Sequence, residues 1–300
     1  PDDKETVLFA RALKEQGINY VLYVNDEVYQ DGLKVTYTKE QNLIIHGDKG
    51  LFPKYDFIAN KKYNSSKDYF DDKGGVFKAI LAQNAKRLTS SIGVYFSQNS
   101  YKSSISINVP TKGLKEIISI PNIQNSIKNC FEEIADIDEH CVRLITNYSK
   151  KFPNVLEEVV PQNSNGFESI INMCAKVLGI NSSKEFEDMA LNTSMTSGIQ
   201  IDMKLVSLDG VNYLDYRRIV QSIMAYKMAD VDNITLVYSF FESLSEFICN
   251  YVNEIATDLK AKDVVLCGNM FANSILLSKT NKTLSKNYNI ILPKEYPLDY

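Results

Sequence analysis

Apolar positions along the chain fall into two regimes. In the first 110 residues they come as short β-branched or aromatic runs. Beyond about residue 166 they recur three and four apart, the period of a helix with one buried face. Residues 4–16, with Val7, Leu8, Ala10 and Leu13 before Gly17, predict a helix. Ile18 to Val24, Leu33 to Tyr37 and Leu43 to Ile45 predict strands, punctuated by Asn25-Asp26, Asp31-Gly32 and Gly47-Asp48. Residues 51–75, rich in Tyr, Asn, Lys, Ser and Asp and without a period, read as loop. Phe77 to Leu88 predicts a helix. Ile92 to Phe96 and Ser103 to Val109 alternate as two strands joined through Asn99-Ser100, and Pro110 and Gly113 close that piece. A helical stretch from about Ile123 to Tyr148, interrupted near Asp136, runs to Pro153.

After the polar run Pro161 to Gly166 the chain is mostly helical, with helices expected near Phe167–Leu178, Glu185–Asn192, Tyr213–Met228 and Asn233–Leu259. The end departs from that pattern. Val264, Val265 and Leu266 suit a buried strand, Gly268 and Asn269 interrupt it, helical spacing returns at Phe271, Ile275 and Leu276, and Ile290 to Leu292 forms a second apolar run before Pro293. Strand, glycine turn, helix and strand make a βαβ unit, and such units bind ligands at the carboxyl edge of their parallel strands.

Composition adds exclusions. Hydrophobic residues at 44% and charged residues at 23% describe a globular chain long enough for two lobes. A net charge of −4 with a pI near 5.4 argues against nucleic acid as the main partner, because phosphate neutralisation needs a basic face. No apolar run approaches the roughly 20 residues that span a bilayer, and the polar start Pro1-Asp-Asp-Lys-Glu5 lacks the pattern of a secretory signal. Five cysteines, an odd number with no C-x-x-C pair, fit reduced thiols and a cytoplasmic location. Of the two histidines, His46 stands alone and His140 adjoins Cys141, where helix neighbours diverge.

Candidate chemistry concentrates at the Cys267-Gly268-Asn269 turn. Glycine lets a backbone approach a phosphate, the following helix offers free N–H groups, and Asn269 or Asn273 could add an amide. The alternative is a glycine needed only for a tight strand-to-helix turn. Glu187 and Asp188, read as the start of a helix, are either acids favoured by its dipole or a ribose-binding carboxylate. Asp299, just past the last strand, could hold Mg²⁺ beside a nucleotide or be a solvated end residue.

These same segments resemble the C-terminal lobe of the HypF-type carbamoyltransferases, hydrogenase maturation factors on the two-lobed actin/hexokinase/Hsp70-like ATPase fold. The family signature V-x-L-S-G-G-V-F-Q-N-x-L-L-L is similar to Val264-Val-Leu-Cys-Gly-Asn-Met-Phe-Ala-Asn-Ser-Ile-Leu-Leu277. Its closing P-N-D-G resembles Pro297-Leu-Asp-Tyr300. Its S-S-x-G-R-L-F-D-A-V-A-A-L-L-G resembles Asn163 to Gly179, and Y-E-G-x-A resembles Phe186-Glu-Asp-Met-Ala190. The resemblance implies an α/β, two-lobed architecture. Residues 1–125 would form a reduced strand-containing lobe, 126–160 a helical connection, and 161–300 a helix-rich lobe ending in the βαβ unit. It also implies a site for ATP or a carbamoyl-adenylate with Mg. Gly268, Asn269 and Asn273 would line the nucleotide, Glu187 would face its ribose, and Asp299 would be the metal-side acid. The family passes the carbamoyl group to a cysteine of its partner HypE.

The chain departs from the pattern at Asn269 and Asp188, where the family has glycine, and at Leu298, where it has asparagine. It also lacks the family's paired histidines. Two expectations follow. One is a HypF-like protein of nickel–iron hydrogenase maturation with a degenerate nucleotide site, working mainly by binding a HypE-like maturation partner or a hydrogenase subunit. The other is an active ATP-dependent carbamoyltransferase.

Overall fold

The computed structural model describes residues 28–30, 33–37, 43–46, 76–77, 80–81, 84, 86, 89–98, 103–109, 113–161 and 166–293. Three antiparallel strands, β1 (Val28–Gln30), β2 (Leu33–Tyr37) and β3 (Leu43–His46), form a small sheet in sequence order. The expected strands at 33–37 and 43–45 are there. The helix expected at 4–16, the strand at 18–24 and the loop at 51–75 lie outside the described residues.

A seven-stranded mixed sheet organises the rest. Its strands are β4 (Ser91–Tyr95), β5 (Ser104–Val109), β6 (Gly113–Ser119), β7 (Leu205–Leu208), β8 (Val211–Leu214), β9 (Asp263–Cys267) and β10 (Asn289–Ile291), in the order β10-β9-β4-β5-β6-β8-β7. β4, β5 and β6 form an antiparallel meander. β9 lies between β10 and β4 and runs parallel to both, with Tyr95 opposite Cys267. Every residue of β9 is buried, as a strand flanked on both sides requires. The sheet therefore joins strands from both sides of the helical connection.

The α-helices bounded within the described residues are α1 (Ile127–Ala135), α2 (Glu139–Lys151), α3 (Gly166–Leu178), α4 (Ser183–Leu191), α5 (Tyr216–Met228), α6 (Asn233–Leu259) and α7 (Ser274–Leu284). The two faces of β4 separate the layers. Ile92, Val94 and Phe96 belong to the main core with the helices. Gly93 points to the other face, where a Cβ would come within 2.5 Å of the Phe77 ring. Val76, Phe77, Ile80 and Leu81 are helical and buried, as expected from Phe77, but Asn84 lies in a turn and Lys86 is not helical, so the helix stops short of the expected Leu88. α6 contributes more to the core than any other helix among the described residues, burying Leu236, Val237, Phe240, Phe241, Leu244, Phe247, Ile248 and Val252. Phe186 of α4 meets Phe240 and Phe241 edge-on, with ring centres 5.5 and 6.1 Å apart, a geometry the ring quadrupoles favour.

The interruption expected near Asp136 is there: α1 ends at Ala135 with Asp136 as its C-cap, and Asp138 leaves helical geometry and accepts a hydrogen bond from the Cys141 N–H to cap α2. Other expectations need correction. The first of these helices begins at Ile127, not near Ile123. Tyr213 and Leu214 belong to β8, and α5 begins after Asp215, whose side chain caps it. β6 was not expected, since Lys115 and Glu116 break its apolar run and a register shift between Ile105 and Ser106 disturbs the pairing. The β7–β8 hairpin was not expected either. It turns on Asp209-Gly210, both at positive φ (50° and 79°), the geometry of a tight hairpin turn.

Residues 198–202 have no ladder of their own and borrow partners from helices. The N–H groups of Ile199, Ile201 and Asp202 donate to the hydroxyls of Ser239 (2.9 Å), Ser243 (2.9 Å) and Ser222 (3.1 Å). The Gly198 N–H donates to Glu242 (2.5 Å). Side chains of α5 and α6 thus satisfy a partly buried neighbouring backbone. All five cysteines are buried and none is disulfide-bonded.

Hydrogen bonds from Thr235 hold the Asp232 carboxyl, the cap of α6, below the usual carboxylate range. A carboxyl depressed in the folded state stabilises the fold above its unfolded pKa, and that contribution is lost as the pH falls through the folded value. Stability measured by urea unfolding should accordingly decline below about pH 4. Asp232→Asn should make that decline shallower, and Asp232→Ala should cost about 1 kcal/mol at neutral pH.

Candidate functional site

Parallel pairing brings the carboxyl ends of β4, β9 and β10 to one edge. Past the strand ends the pairing continues: the Phe96 N–H donates to the Cys267 carbonyl at 2.9 Å, and the Met270 N–H donates to the Phe96 carbonyl at 3.1 Å. The Phe96 main chain therefore crosses directly over Gly268. A Cβ on Gly268 would lie 2.1 Å from the Phe96 carbonyl oxygen, and its φ of 98° is unfavourable for any other residue. The crossing alone requires the glycine, whatever binds nearby.

Asn269 to Ala272 form a 3-10 turn, and α7 begins only at Ser274, not near Phe271. Its cap is Asn273, whose Oδ1 accepts from the N–H groups of Ile275 (3.1 Å) and Leu276 (3.2 Å). Asn273 is buried, and its Nδ2 donates to Glu187 Oε1 at 2.9 Å. Glu187 sits in the second turn of α4, which starts at Ser183 with Ser182 as cap. The first-turn argument therefore does not apply to Glu187 or to the exposed Asp188.

The second oxygen of Glu187 is also engaged. Its Oε2 accepts from Gln98 Nε2 at 2.8 Å. Gln98 lies three residues beyond the end of β4, and its main chain is equally committed. Its N–H donates to Asn269 Oδ1 at 2.7 Å, and its carbonyl accepts from the Glu168 N–H at 2.9 Å. That last bond docks the start of α3 onto the edge, and the Phe96 and Phe167 rings pack 4.7 Å apart beneath it. Partial burial pushes the Glu168 carboxyl up.

Four sequence-predicted residues thus come together: Gly268, Asn269, Asn273 and Glu187. Asp299 lies outside the described residues. Gln98 was not singled out, because the reading of the C-terminal unit paired its strand with residues 290–292 alone and did not see that β4 ends at the same edge. Among the described residues no group of three or more His, Cys, Asp or Glu is placed to hold a metal ion. No helix among them is long and apolar enough to cross a membrane. Three N–H groups that a phosphate would use are already engaged: those of Ile275 and Leu276 donate to Asn273, and that of Met270 donates to Phe96.

Residues 154–299 match the family described as carbamoyltransferase, Kae1-like domain, second subdomain. That segment, just under half of the chain, is thus similar to the second subdomain of a Kae1-like carbamoyltransferase domain. Its fold is similar to that of full-length HypF solved in a phosphate- and nucleotide-bound form, with a TM-score of 0.55, 16% identity, and coverage of 73% of this chain and 32% of that one. It is also similar to HypF of T. kodakarensis, with a TM-score of 0.52, 13% identity and coverage of 73% and 33%. The architecture is therefore α/β, and the likeness to HypF is one of fold. A curated relative, Protein HydE of Wolinella succinogenes, is 25% identical over 184 residues, 57% of this chain. The chain spans about a third of that relative's length.

Placing Gly268 under a backbone carbonyl has a measurable consequence. Gly268→Ala adds positive-φ strain to a clash with main-chain atoms that have no rotamer to escape into. It should destabilise the protein by about 3 kcal/mol or more in urea unfolding. A loss under about 1 kcal/mol would show that the crossing can part.

Proposed function

We propose that this chain acts in nickel–iron hydrogenase maturation as a HypF-like protein whose nucleotide and carbamoyl-transfer site no longer operates. Its work is to bind a HypE-like maturation partner or a hydrogenase subunit. The observation that carries this reading is the Glu187 carboxylate. Both its oxygens are occupied by side-chain amides of the same chain, Gln98 and Asn273. A ligand hydroxyl would have to displace one of these amides or share an oxygen with it. The carboxylate accepts charge-assisted bonds from protein groups instead.

The maturation context rests on the family match over 154–299 and the likeness to HypF. The relation to HydE is in keeping with it. The second reading, an active ATP-dependent carbamoyltransferase, draws on the same match. It requires the amides around Glu187 to give way and Asp299 to complete a metal site.

Titration calorimetry separates the two. The proposed reading expects no ATP binding tighter than millimolar, with or without Mg²⁺. A micromolar dissociation constant abolished by Asp299→Ala would restore the enzyme. Affinity purification from cells that make a nickel–iron hydrogenase should recover a maturation protein or a hydrogenase subunit in stoichiometric amount. Recovery of neither would sink the partner role.

A further inference from the structure

Glu187, Asn269 and Asn273 come from segments that resemble the family motifs, whereas Gln98 comes from none of them. Its position follows from geometry. Tyr95 stands opposite Cys267, Phe96 crosses Gly268, and the chain then carries Gln98 over the Asn269–Asn273 turn toward α4. There it makes three bonds at once: its N–H to Asn269, its carbonyl to Glu168 and its side-chain amide to Glu187. A hydroxyl donor reaching this edge needs an acceptor, and the half-buried Glu187 is the carboxylate that would supply it. Asn273 cannot leave Glu187 without also uncapping α7, because one amide does both. The Gln98 side chain carries no such second duty.

We propose that Gln98 is the built-in partner of Glu187 at this edge. Its amide takes the place on Glu187 that a hydroxyl-bearing ligand, such as the ribose of a nucleoside, would take, and so holds the site shut. The inference rests on the reading that the site does not operate, and it names the group responsible. Gln98→Ala removes the side-chain amide while keeping both main-chain bonds. It leaves Glu187 Oε2 open to a ligand and Oε1 still held by Asn273.

The probe is adenosine, which carries the hydroxyls without phosphate and so avoids the committed N–H groups of the turn. Calorimetry should show adenosine binding at least about tenfold tighter to Gln98→Ala than to the unaltered chain. That factor is the worth of one hydrogen bond to a charged group. Adding Glu187→Gln should abolish the gain. Gln98→Glu, which sets a second carboxylate against Glu187 and expels the side chain, should show a similar gain.

Folded Gln98→Ala and Gln98→Glu proteins that bind adenosine no better than the unaltered chain would overturn the proposal. The closed-site reading would survive that result. ATP binding by the unaltered chain would instead overturn that reading first. Should neither variant fold, the unaltered ¹⁵N-labelled protein decides. The Gln98 side-chain amide protons should exchange at least about tenfold more slowly than those of the exposed Gln200. Equal rates would mean that Gln98 does not occupy Glu187.

Discussion

The crossing of Phe96 over Gly268 sets the rest of this edge. Two parallel strands ordinarily diverge into separate loops once their ladder ends. Here the ladder runs on for two further bonds, Phe96 to Cys267 and Met270 to Phe96. The approach is closer than any side chain on Gly268 would allow. Holding the two connections together leaves Gln98 only the space over the Asn269–Asn273 turn. It also fixes the Phe96 ring between Phe167 of α3 and Phe271 of the 3-10 turn. One backbone contact thus positions three segments that are remote in sequence.

The chemistry of the edge then follows from donor and acceptor counting. A carboxylate only accepts, and an amide nitrogen only donates, so Glu187 needs donors and finds two within the chain. Asn273 is oriented by its neighbours on both sides: its oxygen must meet the α7 N–H groups, and its nitrogen must meet Glu187. Asn269 acquires a meaning that the family pattern alone did not give it. Asparagine in place of glycine reads from sequence as an obstruction to phosphate. In the structure its Oδ1 is the acceptor for the Gln98 N–H. The replacement adds an anchor to the closed arrangement.

What was legible in the chain follows the range of the forces involved. β4, β5, β9 and α6 were readable because alternation or helical spacing records burial by one neighbour, and each element carries that record in its own residues. β9, α7 and β10 were found together, since a βαβ unit is local. The β7–β8 hairpin was legible in principle at Asp209-Gly210 and was overlooked within a helical surround. The 198–202 segment was not legible at all. Its N–H groups are satisfied by Ser222, Ser239, Glu242 and Ser243, and nothing in its own residues announces them. Gln98 belongs to the same class. A glutamine after a buried strand is unremarkable until the neighbouring strand and α4 are in place.

On the proposed reading, the closure of the edge and the loss of its chemistry are one event. Sites that handle ligands keep polar groups turned outward and incompletely satisfied, at a cost in stability that other interactions must cover. At this edge the outward groups have found partners within the chain. Glu187 is satisfied by Gln98 and Asn273, the α7 N-terminus by Asn273, and the Asn269 amide oxygen by the Gln98 N–H. Each bond that closes the network adds order to the fold and removes a group from the service of a ligand. A chain relieved of binding a nucleotide in this way would keep its fold without one. What it would offer a partner is a rigid lobe whose former ligand edge is held by its own side chains.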